Sequence, residues 1–180
     1  MANGTKSVKG CVHIYTGAGK GKTTAALGIC FRAAGWGFES AFIQFMKGQE
    51  SGELIAAKKF ISNMLFEQYG SEKFINKKNL SDLSEHKIFA DRGIDRAKEL
   101  LLSDKYKIIV LDEILNLLEF ELITEDEIIE LMYLHRESEL ILTGRGATKL
   151  LIKHADLVTE MKEIKHYYTK GIMSRKGIEY

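Results

Sequence analysis

Short apolar runs alternate with longer amphipathic ones along this chain. Residues 11–16, 40–46, 64–69, 107–111 and 139–143 are rich in Val, Ile, Leu, Phe and Tyr, side chains that suit the packed surface of a sheet. A weaker run covers 157–164. Ile108-Ile109-Val110-Leu111 is apolar at every position, which predicts a parallel strand covered on both faces. Between these runs the spacing turns helical, over 22–34, 51–61, 81–102, 125–136 and 147–154. In the longest segment Leu83, Ala90, Ile94, Ala97 and Leu101 recur at helix spacing, and charge fills the other face. Thr124, with Glu127 three residues on, predicts a capping box. Strands that alternate with helices imply a doubly wound α/β fold, a mostly parallel sheet with helices on both faces. The pattern shows no repeat, low-complexity stretch or linker. Residues 11–180 are therefore expected to form a single domain after a polar segment, 1–10.

Composition narrows the partners. The net charge is +1, and Lys and Arg are spread along the chain, so no strong field recruits nucleic acid or a membrane surface. Neither is expected as a partner. The first ten residues are polar and lack an apolar signal core, and no apolar run approaches a membrane span. A cytoplasmic location follows as the expectation. The two cysteines, Cys11 and Cys30, stand too far apart for a C-x-x-C motif, and no histidine cluster accompanies them. They read as two buried thiols, one in the first strand and one in the first helix.

The chemistry is concentrated in Thr16-Gly17-Ala18-Gly19-Lys20-Gly21-Lys22-Thr23-Thr24. This segment follows a strand and opens a helix, the context a phosphate-binding loop requires. Glycines let backbone N–H groups close around phosphate oxygens, and the helix adds its positive dipole end. Lys22 can neutralise phosphate charge, and the Thr23 hydroxyl can ligate Mg²⁺. The usual pattern has glycine five residues before Gly21; that position is Thr16, and Gly17 comes one place late. A second element is Ile108-Ile109-Val110-Leu111-Asp112-Glu113, an apolar strand ending in two carboxylates. In P-loop enzymes a carboxylate at such a strand end holds Mg²⁺. Neighbouring strand residues face opposite ways, so one of Asp112 and Glu113 is expected to be the direct ligand. Together these features predict a P-loop NTPase-like fold.

The loop with its displaced first glycine resembles that of the ATP:corrinoid adenosyltransferases. The resemblance continues through Gln44-Phe45-Met46-Lys47-Gly48, Val110-Leu111-Asp112-Glu113-Ile114 and Leu142-Thr143-Gly144-Arg145. It is dense near the end, in Glu160-Met161-Lys162-Glu163-Ile164-Lys165-His166 and Lys176-Gly177-Ile178-Glu179-Tyr180. It implies transfer of the 5′-deoxyadenosyl group of ATP to the Co(I) centre of a corrinoid, with release of triphosphate. Cobalt is the nucleophile, so the protein positions, neutralises and shields. By position in the motifs, Gly17, Ala18, Gly19, Lys20, Gly21, Lys22, Thr23 and Thr24 would hold the triphosphate, reversed along the loop relative to most P-loop enzymes. Thr23 and Glu113 would hold Mg²⁺, and Arg145 would add charge. His166 lies in the terminal block as a further substrate contact, while His86, His135 and His154 read as ordinary helix or loop positions. Salvage-type members carry a Phe and a Trp, two residues apart, under the corrin ring. Phe74 matches the first, and Asn76 stands where Trp is expected. A homodimer and an electron-donor flavoprotein are the partners the resemblance implies. Two other readings use the same loop: a phosphoryl-transferring kinase or ATPase, and a non-catalytic nucleotide or corrinoid carrier.

Overall fold

A computed structural model describes residues 9–72 and 80–180. Six parallel strands form one sheet in the order β3-β2-β4-β5-β1-β6. They are β1 (Val12–Thr16), β2 (Ser40–Phe45), β3 (Met64–Tyr69), β4 (Ile108–Asp112), β5 (Glu139–Thr143) and β6 (Leu157–Glu160). The helices are α1 (Lys22–Gly35), α2 (Gly52–Phe60), α3 (Leu80–Leu102), α4 (Asn116–Glu119), α5 (Glu125–Tyr133) and α6 (Lys149–His154). A 3₁₀ turn spans Tyr167–Lys170.

Alternate strand residues supply two cores. Val12, Ile14, Ile43, Phe45, Leu111 and Leu142 face one way, packed with Ala90, Ile94, Ala97 and Leu101 of α3 and Ile128 and Leu131 of α5. Phe42, Phe66, Val110 and Ile141 face the other way, against Ala26, Cys30 and Ala33 of α1 and Ala57 of α2. The two-residue period of the strands thus sorts the helices onto two faces. The expected capping box at Thr124 and Glu127 is present in α5.

The boundaries differ from expectation where the backbone turns left-handed. β2 stops at Phe45 because Met46 has φ 61°, and α5 ends before Arg136, φ 45°. The last strand covers Leu157–Glu160 rather than 157–164, because the Met161 carbonyl is taken by the Gly19 N–H of the loop after β1. Cys30 is buried as expected, but Cys11 is exposed and precedes β1. Its apolar character is weak enough to sit at a strand start, where the sheet rim is open. The four-residue helix α4 was not anticipated.

All strands point the same way, so their C-terminal ends share one edge. β1 lies between β5 and β6, and β4 lies on the far side of β5. The chain leaves β1 for α1 on one face and leaves β4 and β5 for α5 and α6 on the other, so the loops after β1 and β4 diverge at this edge and leave a crevice, the place where open α/β sheets bind ligands.

Candidate functional site

The loop after β1 is shaped by its glycines. Gly17 has φ 101° and Gly21 φ 117°, conformations that side chains resist. A Cβ on Gly17 would stand 2.4 Å from the Met161 carbonyl oxygen, and one on Gly19 would stand 2.7 Å from it. The chain leaving β6 is pressed that closely against the loop. The Met161 N–H donates to the Thr16 carbonyl at 2.8 Å, and the Gly19 N–H donates to the Met161 carbonyl at 2.7 Å. The late position of Gly17 thus has a structural reason: Thr16 still belongs to β1. Gly21 is the N-cap of α1 and offers no side-chain cap, and the first turn holds no acid. The leading N–H groups of a 14-residue helix are left for an anion.

Lys22 turns back onto this loop. Its Nζ donates to the carbonyls of Gly17 at 2.7 Å and Gly19 at 2.8 Å. Burial, and then the nearby Arg145 charge, hold its pKa below the usual lysine value against Glu113 and Asp112. Lys20 donates to the Ile178 carbonyl at 2.9 Å, so the terminal segment lies over the loop.

The two carboxylates after β4 have different settings. Asp112 is fully buried and accepts from Thr143 Oγ1 at 2.6 Å, Gln44 Nε2 at 2.9 Å and Thr23 Oγ1 at 3.2 Å. Burial raises its pKa despite those bonds. Glu113 has φ 62°, which ends the strand and swings its side chain out to the crevice. Its N–H donates to Thr143 Oγ1 at 2.9 Å. Burial first, and the neighbouring Asp112 second, raise the Glu113 pKa against Lys47, Lys22 and Asn116.

Lys22, Thr23 and Glu113 line one cleft of about 640 Å³ with Ala18, Lys20, Thr24, Arg145, His166 and Tyr180. That volume suits a small-molecule ligand. Of the expected set, residues 18–24, Glu113 and Arg145 therefore meet in one cleft; Gly17 opens the same loop but does not line the cleft, and Phe74 lies outside the described residues. Gln44, Thr143 and Asn116 were missed. Gln44 and Thr143 are polar interruptions near the ends of apolar strands, a signal that was readable. Asn116, whose Oδ1 accepts from the Arg145 N–H at 2.6 Å, had no such signal.

A second cavity of about 550 Å³ adjoins the cleft and shares Lys47, Glu113 and Tyr180 with it. Its floor includes the loops after β2 and β3, where Gly48 and Gly70 touch backbone to backbone.

Comparison with known proteins gives the family. Residues 8–180 match the family described as ATP:corrinoid adenosyltransferase BtuR/CobO/CobP. The chain belongs to that family. A corrinoid adenosyltransferase of Sinorhizobium sp. is 33% identical over 175 residues, covering 96% of this chain and 81% of that protein. The corrinoid adenosyltransferase of Escherichia coli K12 is 29% identical over 178 residues, 96% of this chain and 86% of its own length. The corrinoid adenosyltransferase CobA of Salmonella typhimurium LT2 is 29% identical over 179 residues with the same coverage. As a member of this family the chain is an adenosyltransferase, a transferase acting on ATP and a corrinoid. No described helix is long and apolar enough to cross a membrane.

Proposed function

We propose that residues 17–24 bind the triphosphate of ATP and that the corrinoid lies in the adjoining cavity, its cobalt facing the ribose C5′. The carrying observation is that Lys22, Thr23, Glu113 and Arg145 line a single cleft at the N-terminus of α1. Cobalt of the Co(I) corrinoid donates its electron pair to C5′. The carbon–cobalt bond forms as the C5′–O bond breaks, and triphosphate departs with the bonding pair. No protein nucleophile or base is consumed.

The work of the protein is electrostatic. Phosphate oxygens take the Lys22 ammonium from the Gly17 and Gly19 carbonyls, and the uncapped amides of α1 complete the cradle. Charge on the departing triphosphate is then met by groups already in place. The residues also fit Mg²⁺. Asp112 accepts the Thr23 proton, which leaves the Thr23 lone pairs free for a cation, and Glu113 supplies a carboxylate oxygen. Among the described residues no cluster of three or more His, Cys, Asp or Glu forms a metal cage. An ion that arrives with phosphates and keeps its waters requires none. Bound there, Mg²⁺ would neutralise phosphate charge.

The same reading includes a homodimer, a flavoprotein that reduces the corrinoid, a cytoplasmic setting and one functional domain over residues 11–180. Light scattering that gave a monomer mass throughout the micromolar range would count against the dimer.

The test is anaerobic. The chain is mixed with ATP, Mg²⁺ and chemically reduced cob(I)alamin, and product is assayed for a light-sensitive carbon–cobalt bond. Adenosylcobalamin with stoichiometric triphosphate is expected. ADP without corrinoid product would replace this reading with phosphoryl transfer, and tight binding without either product would make the chain a carrier.

A further inference from the structure

Ser51 and His86 line the second cavity and are each only 4% exposed. Neither Ser51 Oγ nor His86 Nε2 has a hydrogen-bond partner among the described residues. Burying such atoms unpaired costs stability. The same chain shows the alternative. His135 is equally buried, yet its two ring nitrogens face the carbonyls of Met132 and Gly10. His86 stands on α3 four residues before Ala90 and eight before Ile94, both core residues, so packing alone would favour an apolar side chain there.

The charges in the cavity limit what can pair with these two groups. Lys47 is the one cation among its described lining residues and is already paired with Glu53 at 3.3 Å, while Glu50, Glu72 and Glu113 also line the cavity. One cation against three acids disfavours an anionic ligand group. A neutral group that both donates and accepts suits a cavity lined by a hydroxyl and an imidazole nitrogen. A primary carboxamide has that inventory. Mature corrinoids carry primary carboxamides around the ring edge, and unamidated ones carry carboxylates there.

We infer that Ser51 and His86 select the corrinoid by bonding a peripheral carboxamide, and so favour amidated corrinoids over carboxylate forms. The inference rests on the corrinoid placement proposed above. Both are specificity residues, remote from the cobalt–carbon chemistry.

Ser51→Ala, His86→Leu and His86→Gln would be compared with wild type, using Mg-ATP and chemically reduced cob(I)alamin or its fully hydrolysed carboxylate analogue. In Ser51→Ala and His86→Leu the cobalamin KM is expected to rise about tenfold, the loss of one hydrogen bond. The preference for cobalamin over the carboxylate form should fall by a similar factor, while the ATP KM moves less than about twofold. His86→Gln, which keeps a donor and an acceptor, should recover part of the loss. The unfolding midpoint should stay level or rise, because an unpaired buried group has been removed. A structural role would lower it. Unchanged cobalamin KM and unchanged preference in both variants would overturn the inference, as would a KM change that tracks a falling midpoint. If wild type itself makes no adenosylated product, the reading of the whole site fails first, and this result is seen before any variant is compared.

Discussion

The nucleotide cleft and the cavity beside it treat their polar groups in opposite ways. In the cleft nearly every reactive group already has a partner within the chain: Lys22 on the Gly17 and Gly19 carbonyls, Thr23 on Asp112, Lys20 on the Ile178 carbonyl. In the cavity Ser51 and His86 hold atoms with none among the described residues. A ligand entering the cleft must trade bonds, so only a strongly charged one gains on exchange. A ligand entering the cavity satisfies groups that were costing stability, so a neutral one suffices. The first arrangement suits triphosphate, and the second suits a large uncharged substrate rim.

The largest test of this contrast is Lys22→Ala. Turnover should fall by roughly 10³-fold, the scale of losing a leading electrostatic stabiliser, while circular dichroism stays unchanged. Near-wild-type rates would end the exchange picture. Next is Glu113→Gln, for which adenosylation at saturating Mg²⁺ should drop about 100-fold. Its stability effect has the other sign. The folded Glu113 pKa lies above its ordinary value of 4.5, because burial and Asp112 penalise the charged form. The folded state therefore holds that proton more tightly, and stability is lost as pH rises from 4.5 through the folded pKa. At neutral pH the Gln variant should melt higher than wild type, with the gap closing towards pH 4.5. A lower melting point at neutral pH would mean that Lys22 and Lys47 already compensate the charge.

Smaller effects probe the rigidity of the cleft. Gly17→Ala places a methyl 2.4 Å from the Met161 carbonyl at a left-handed position, and should cost about 1–3 kcal/mol in urea unfolding with weaker ATP binding. Gly28→Ala, inside α1 with open space around its Cβ, should instead stabilise by about 0.5–1 kcal/mol. Equal effects at the two sites would show that the chain after β6 does not constrain the loop.

Much of the cleft was legible because its physics is local. A strand, a glycine-rich turn and a helix N-terminus lie within about two dozen residues, and Asp112-Glu113 closes an unmistakably apolar run. The rest depended on neighbours far along the chain. The left-handed turn at Glu113 is what separates a fully buried acid from one that reaches the cleft, and φ has no signature in an acidic pair. Asn116 meets Arg145 only because α4 follows β4 beside the end of β5. The short β6 was misjudged because Met161 is apolar enough to extend a strand, yet its carbonyl is taken by Gly19. His86 read as an unremarkable helix position; only the packing of α3 shows what surrounds it.

That bond between Gly19 and Met161 also sets a timetable. One of the contacts that shapes the loop arrives some 140 residues after it. β1 waits likewise for both its neighbours, β5 and β6. A chain emerging from the ribosome, made at about 5–20 residues per second, carries the glycine-rich motif for many seconds before the Met161 contact can form. A product truncated before residue 161 would keep the whole glycine-rich motif yet lack both backbone bonds that Met161 makes to Thr16 and Gly19.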